Sequence, residues 1–350
     1  MFSTDDFHTA REYLQLFCEK PAAEIRGVLP EGHEKKRDLD IIVPAYNVEK
    51  YLEECLDSVV NHSFRRNVGV IVVDDGSTDR SGEIADRYGT NPMVTVIHQK
   101  NAGLSEARNA GIAKSSSRYL FLLDSDDYVL PEGLEAMLDF AMENDADSVR
   151  GILFNVVGDE ILRPETETKE FREIPHYDAA GYAGGTVVLS DLFEKICFPA
   201  GYLYEDTIMY ALLSPLCRKS YVYDGCVYAY RMNPNGITGS SQYDKRAVHS
   251  YWILELMLDT LEKLRIPVDT PLFEKLFGLI AQTYKRVRNL DQNVNAAVFI
   301  ATCGRMKELC KQVPIENRFR RFVAEALLKE DYSLYAKGCD LLFEAMKSGQ

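Results

Sequence analysis

The sequence predicts an α/β fold: a mostly parallel sheet flanked by helices, followed by a C-terminal helical subdomain. Three observations carry this. First, four short apolar runs recur at Leu39–Val43, Val68–Val73, Val94–His98 and Tyr119–Leu123. They are β-branched or aromatic, too short for helices and almost unbroken in apolarity, as strands buried on both faces are. Second, the stretches between them have helical spacing. Tyr51, Leu52, Cys55, Leu56 and Val59 fall on one stripe, and Ser81–Tyr88 and Ser105–Ala113 behave the same way. Strand alternating with helix is the pattern of a parallel sheet with right-handed crossovers. Third, from about Asp244 the strand signals stop, and Ser250–Leu264, Pro271–Val287, Ala296–Cys310 and Phe319–Met346 all show a 3.6-residue apolar period.

In chain order, residues 1–37 read as a helical extension and linker, ending in the turn-rich Pro30-Glu31-Gly32-His33 and the basic Lys35-Lys36-Arg37. The alternating region follows and stops after residue 158. Residues 159–200 carry glycine, proline and acidic patches, with a helix expected near Val187–Ile196. A second helix is expected near Asp206–Leu216, then short strands at Tyr221–Tyr223 and Val227–Arg231. Residues 244–350 hold 17 basic and 14 acidic residues, against 23 and 40 in residues 1–243. A charge shift that coincides with a change of pattern marks a boundary. The expected domains are therefore 1–37, 38–243 and 244–350.

Composition narrows the function. The 350 residues are 46% apolar and 27% charged, which excludes global disorder. A net charge of −14 argues against a nucleic-acid binder, whose affinity comes from basic residues on phosphates. No apolar run reaches the roughly 18–20 residues that span a bilayer, and Met1–Asp6 lacks the basic and apolar parts of a signal peptide. The eight cysteines are scattered without a Cys-x-x-Cys pair, so neither a disulfide framework nor a zinc site is expected. The expectation is a cytoplasmic enzyme or binding module.

In open α/β sheets ligands lie beyond the carboxyl ends of the strands. Here those ends read Pro44-Ala45-Tyr46-Asn47, Asp74-Asp75-Gly76-Ser77-Thr78-Asp79, Gln99-Lys100-Asn101-Ala102-Gly103 and Asp124-Ser125-Asp126-Asp127. The second can be a turn with Ser77 or Thr78 capping a helix, and the third a turn before a helix. The fourth is harder to read as filler. Three carboxylates within four residues repel one another unless a cation or donors offset them, and hard oxygen donors suit Mg2+ or Mn2+ beside substrate phosphates.

Together with Ile41-Ile42-Val43, Asn101-Ala102-Gly103-Leu104-Ser105-Glu106-Ala107-Arg108-Asn109, Leu203-Tyr204-Glu205-Asp206 and Tyr228-Ala229-Tyr230-Arg231 with the loop to Ser241, these stretches resemble the successive motifs of the family 2 glycosyltransferases, which have the GT-A fold. The likeness runs from about residue 39 to 241. It implies an inverting transferase of the bacterial polysaccharide-synthesis type, using a nucleotide-sugar, usually a UDP-sugar, and Mn2+ or Mg2+. Its acceptor would be a saccharide or lipid-linked saccharide at the inner membrane face. By the same resemblance, Pro44, Ala45, Tyr46 and Asn47 line the nucleoside pocket, and Asp75 accepts from the imide N–H of uracil. Asn101, Gly103 and Arg108 sit beside the nucleotide. Asp126 is the direct metal ligand, with Asp124 on ribose or a metal-bound water. Asp206, paired with Glu205, is the catalytic base. Arg231 stands between diphosphate binding and a salt-bridged surface role, and Asp127 has no assigned role.

Two departures bear on substrate identity. Gly185-Thr186-Val187-Val188-Leu189-Ser190 lacks a lysine the family often carries there, and Asn235-Gly236-Ile237-Thr238 has Gly where Ser is common before Ile-Thr. Two other readings remain at this stage: a nucleotidyltransferase, which the absence of glycine and base in Pro44–Asn47 disfavours, and an inactive sugar-nucleotide-binding module. Trp252, Leu256, Leu276, Phe277, Leu279 and Ile280 are expected in a core. Arg318-Phe319-Arg320-Arg321-Phe322 reads as a solvated helix start, with peripheral membrane contact as the alternative.

Overall fold

The computed structural model describes residues 6–158, 160–175, 184–232 and 244–347. By compactness the chain divides into two units, one of residues 23–201 and 205–233, the other of residues 1–22, 202–204 and 234–350. Thus helix α1 (Phe7–Phe17) groups with the C-terminal helices, and residues 23–36 group with the sheet.

The first unit is the predicted α/β layer. Strands β1 (Arg37–Ala45), β2 (Val68–Asp74), β3 (Val94–His98) and β4 (Ser117–Leu122) alternate with helices α2 (Leu52–Val60), α3 (Ser81–Tyr88) and α4 (Leu104–Lys114). Strands β1 to β4 pair in parallel. Beyond them the chain adds β5 (Tyr128–Val129), α5 (Pro131–Asn144), β6 (Ser148–Val157), β7 (Glu160–Leu162), β8 (Phe171–Ile174), β9 (Thr186–Leu189) and β10 (Ser220–Arg231). The sheet order is β3-β2-β1-β4-β9-β6-β10-β5, with β7 on β6 and β8 on β10. Strands β6 and β10 are parallel to each other, and β9 runs antiparallel between β4 and β6.

Alternation along β1 explains how both faces are covered. Leu39, Ile41 and Val43 share a core with Leu52, Cys55, Leu56 and Val59 of α2 and with Leu134 and Met137 of α5. The opposite face takes α4, whose Gly111 comes so close that an added Cβ would lie 2.4 Å from Ile42 Cγ2. All of these apolar side chains are buried.

The sequence reading and the structure part company at several segments. The helix expected near Val187–Ile196 is strand β9 and a short 3-10 turn, Ser190–Glu194. The β-branched Thr186-Val187-Val188 run, buried between β4 and β6, prefers the extended form. The helix expected near Asp206–Leu216 is present over 207–216 but irregular: two α-helical residues, a π-helical turn, Met209–Leu213, and a 3-10 turn, Ser214–Leu216. The two short strands at Tyr221 and Val227 are one strand, β10, with register shifts between Val222 and Tyr228. The loop to Ser241, including Asn235–Thr238, lies outside the described residues.

The second unit is helical: α1, α6 (His249–Lys263), α7 (Thr270–Val287), α8 (Gln292–Gln312), α9 (Arg318–Lys329) and α10 (Tyr332–Lys347). The single helix expected over Phe319–Met346 is therefore two. Glu330 takes a left-handed conformation, φ 56°, and Asp331 accepts from Leu334 N–H to begin the next helix. The six expected core residues, Trp252 to Ile280, are all buried. Glu255, 2% exposed, is neutralised by Arg11 and Lys20, and Trp252 Nε1 donates to the Cys18 carbonyl. The arginines of 318–322 start a capped helix: Asn317 caps it, Arg320 pairs with Glu274, and Arg321 donates to the Ile315 carbonyl. Among the described residues no helix is long and apolar enough to cross a membrane.

Candidate active site

The carboxyl ends of β1, β2 and β3 are tied into one edge by hydrogen bonds between loops. Asp75 N–H donates to the Ala45 carbonyl at 2.8 Å. Asn47, at φ 53°, donates from its backbone to Ser77 Oγ and accepts from Thr78 N–H at 2.8 Å. Ser77 and Thr78 therefore do not cap α3. The N-cap residue is Arg80, and just before it Asp79 accepts from Ser81 N–H at 2.9 Å. Pro44 and Ala45 are buried beneath the edge, whereas Tyr46 and Asn47 are exposed on it.

Asp75 is 3% exposed, and its carboxylate already accepts three hydrogen bonds: from Gln99 Nε2 (2.7 Å), Ala102 N–H (2.9 Å) and Gly103 N–H (2.8 Å). These bonds hold the third loop against the second and leave Oδ2, which takes only one of them, with a further acceptor position. Asn101 and Gly103 are exposed. Gly103 has φ 89° and open space around it, so the backbone can approach a ligand there. Gly76, at φ 73°, lies so close to the third loop that a Cβ would meet Asn101 N at 2.7 Å.

The acidic loop after β4 divides into outward and inward acids. Asp124 and Asp126 are half-buried, whereas Asp127 is 2% exposed. Asp127 accepts from Tyr228 Oη and from Arg231 N–H, both at 2.7 Å, and Tyr228 Oη in turn accepts from Asp124 N–H at 3.1 Å. Tyr228 on β10 is thus a post holding both ends of the loop. Burial, then the charge of Asp124, pushes the Asp127 carboxyl up to about 8 against those two donors. The role missing for Asp127 in the sequence is structural: it turns away from the edge and anchors β10.

Arg108 is the other tie. The sequence places it beside a nucleotide, but α4 carries it inward, where it is 2% exposed. Its Nη1 donates to Glu205 Oε1 at 2.5 Å and its Nη2 to Asp124 Oδ1 at 2.7 Å. Burial opposes its charge, but Asp124 and Glu205 outweigh that and hold its pKa above the ordinary value. Glu205 is 8% exposed; burial pushes its carboxyl up while Arg108 opposes. One guanidinium therefore fixes the Glu205-Asp206 segment against the acidic loop. Asp206 is half-buried. Asp206 directly precedes an irregular helical run over 207–216 whose middle, Met209–Leu213, is π-helical.

Arg231 also points into the site's scaffold. Its Nε donates to the Asp126 carbonyl (2.9 Å), its Nη2 to Glu54 (2.7 Å), and its guanidinium lies over the rings of Tyr51 and Tyr128. Glu54 is a site residue the sequence reading passes over, and Tyr228, quoted there within the closing motif, is given no role of its own.

As a donor set, Asp124 and Asp126 fit a hard divalent cation: two half-buried carboxylates just beyond a strand's carboxyl end, one oxygen of Asp124 being held by Arg108. The carboxylate cluster around His33 does not serve this purpose, since Ser190 beside it bonds to Ser117 at the start of β4, not to its carboxyl end.

The glycosyl transferase family 2 profile matches residues 40–188. Over this segment the chain is similar to the family 2 glycosyltransferases. The segment ends on β9, so it contains all four loops of the candidate edge. The glycosyltransferase GlyA of Streptococcus pneumoniae is 32% identical over 57% of this chain and 31% of its own length. The uncharacterized glycosyltransferase EpsJ of Bacillus subtilis is 32% identical over 57% of this chain and 62% of its own. The chain thus matches less than two thirds of either relative. A crystal structure of S. aureus TarS 1–349 in complex with UDP-GlcNAc superposes with a TM-score of 0.68, at 20% identity, over 89% of this chain and 92% of that one. The shared architecture is the GT-A fold.

Proposed function

We propose that this glycosyltransferase moves a sugar from a UDP-sugar to a hydroxyl of a saccharide or lipid-linked saccharide, with inversion at the anomeric carbon and dependence on Mn2+ or Mg2+, at the cytoplasmic face of the membrane. The observation that carries the reading is the Asp124–Arg108–Glu205 bridge, which brings the acidic loop and the Glu205-Asp206 segment to one site. UDP-N-acetylglucosamine is the first donor to test, because the TarS neighbour is described with it.

In this reading the loops Pro44–Asn47 and Asn101–Gly103 hold the nucleoside, with Gly103 leaving the backbone open to it. Asp126 and Asp124 would hold the cation, which when bound offers Lewis-acid stabilisation of the departing diphosphate. Glu205 has an oxygen committed to Arg108 and is buried; Asp206 keeps solvent access, and takes the acceptor hydroxyl's proton as that oxygen bonds to the anomeric carbon. The bond from that carbon to the diphosphate breaks on the opposite face, which inverts the centre. The nucleotidyltransferase reading lacks a glycine-rich basic loop for a triphosphate.

The test is UDP release from candidate UDP-sugars with and without Mn2+. Asp206→Asn should keep UDP binding while turnover falls by about 10² to 10⁴, and Asp126→Ala should lose metal-dependent UDP binding. Turnover near wild type in Asp206→Asn with Glu205→Gln inactive would assign the base to Glu205. UDP affinity unchanged by Asp126→Ala, or by removing metal, would sink the cation site.

A further inference from the structure

His33 is a buried histidine whose surroundings ask for a cation. Its side chain is 4% exposed. Its Nε2 lies 3.0 Å from Ser190 Oγ. The single hydroxyl hydrogen of Ser190 is already directed at backbone carbonyls, those of Ser117 (2.7 Å) and Arg118 (3.0 Å). Ser190 can therefore only accept from His33, which places a hydrogen on Nε2. In the neutral ring the other nitrogen, Nδ1, then bears a lone pair. That lone pair faces two carboxylate oxygens, Glu194 Oε1 at 3.3 Å and Asp191 Oδ1 at 3.9 Å. Three acceptors thus converge on one point, where the Lys35 ammonium meets only the Asp191 oxygen.

A second proton on His33 is one candidate, but 3.3 Å is long for a charge-assisted N–H···O bond, which runs about 2.7–2.9 Å. It does match the ligand-to-ligand edge, about 3.3–3.4 Å, of a tetrahedron with metal–ligand bonds of about 2.0–2.1 Å. Asp191 Oδ1 is buried and has no hydrogen-bond donor in line. The outer contacts also resemble those of a ligating histidine: Nε2–H is held by Ser190, and Glu194 Oε1 is oriented by Gly32 N–H at 2.9 Å. Lys35 Nζ, 2.5 Å from Asp191 Oδ1 and one-third exposed, is the resident countercharge and competes for that oxygen.

We propose that His33 Nδ1, Glu194 and Asp191 form a structural site for a divalent transition-metal ion of the Zn2+ class, which pins residues 30–36 to the turn after β9. The site is separate from catalysis. Ser117, to which Ser190 bonds, begins β4, while Asp124 follows its end, so the two lie about 20 Å apart along the strand. The cysteine pattern carries no hint of it, because its ligands are nitrogen and oxygen.

The experiment uses the full chain, freed of metal with a chelator and kept reduced, titrated calorimetrically with Zn2+ alone, without nucleotide. The expected result is one saturable site that raises the melting temperature and is weakened by more than about tenfold in both His33→Gln and Glu194→Gln. Lys35→Ala, which removes the competing ammonium, should tighten it. Co2+ in place of Zn2+ should give tetrahedral d–d absorption in wild type and not in Glu194→Gln. Should His33→Gln fail to fold, Glu194→Gln alone decides. The proposal is overturned if no saturable Zn2+ site exists, which would leave His33 an imidazolium in an ion pair, if binding survives Glu194→Gln, or if it disappears in Asp126→Ala.

Discussion

Replacing Arg108 with alanine tests the idea that one buried guanidinium assembles the site. Arg108 donates at 2.5 Å to Glu205 and 2.7 Å to Asp124. Truncation strands Glu205, which is 8% exposed and cannot recover full hydration. Removing one partner of a buried pair costs about 3–5 kcal/mol. The Asp124 side chain, 35% exposed, regains water and adds little to that. At about 2–4 °C per kcal/mol for a unit of this size, the melting temperature should fall by about 6–20 °C. Circular dichroism or calorimetry is the right probe, because the single tryptophan, Trp252, belongs to the helical unit and would report that unit instead. Adding Glu205→Gln to Arg108→Ala removes the stranded charge and should restore part of the loss, a coupling of about 1 kcal/mol or more in a double-mutant cycle. If Arg108→Ala costs under about 1 kcal/mol, or if the two changes simply add, the bridge does not hold the site together.

Three further outcomes follow from the same geometry. Tyr228→Phe leaves Asp127 Oδ2 and Asp124 N–H without their shared partner; it should cost about 1–3 kcal/mol in urea unfolding and weaken metal-dependent UDP binding. Gly76→Ala places a Cβ 2.7 Å from Asn101 N at φ 73°, so calorimetry should show weaker UDP binding and a stability loss of about 1–2 kcal/mol. Burial lowers the pKa of His249 to about 4, helped by Arg246 and opposed by Asp244, and its Nδ1 accepts from Leu203 N–H. Because the folded value lies below an unfolded value of about 6.5, His249 costs no stability above that pH. It removes up to about 3 kcal/mol as pH falls from 6.5 to 4. Thermal melts of His249→Gln should show a shallower acid dependence than wild type over that range; an unchanged slope would refute the assignment.

The alternating half of the fold was legible because its signals are local. Leu39–Val43, Val68–Val73 and Tyr119–Leu123 are buried on both faces, so their apolarity is nearly continuous and their boundaries are sharp, while Val94–His98, on the sheet edge, is only partly buried. The misread segments are those whose state depends on neighbours far along the chain. Val187–Leu189 is a strand because β4 and β6 leave a gap that only an extended segment fills. Helices α9 and α10 share one apolar period across a break that a left-handed Glu330 makes, and periodicity cannot see a single residue's φ.

The candidate site divides the same way. That four polar strand ends would gather at one edge, with acids suited to a cation, follows from sequence order alone, because parallel strands with helical crossovers put their carboxyl ends together. What each acid does there was decided by tertiary contacts. Asp124, Asp126 and Asp127 are near-equivalent in sequence, yet Tyr228 and Arg231, about a hundred residues later, turn one of them into an anchor. Arg108 reads as a nucleotide ligand until α4 is packed on β1, which buries it between two carboxylates. Residue type and spacing set which chemistry is available at an edge. Which groups keep their lone pairs for a ligand is a matter of hydrogen-bond partners, and those come from parts of the chain that only folding brings near.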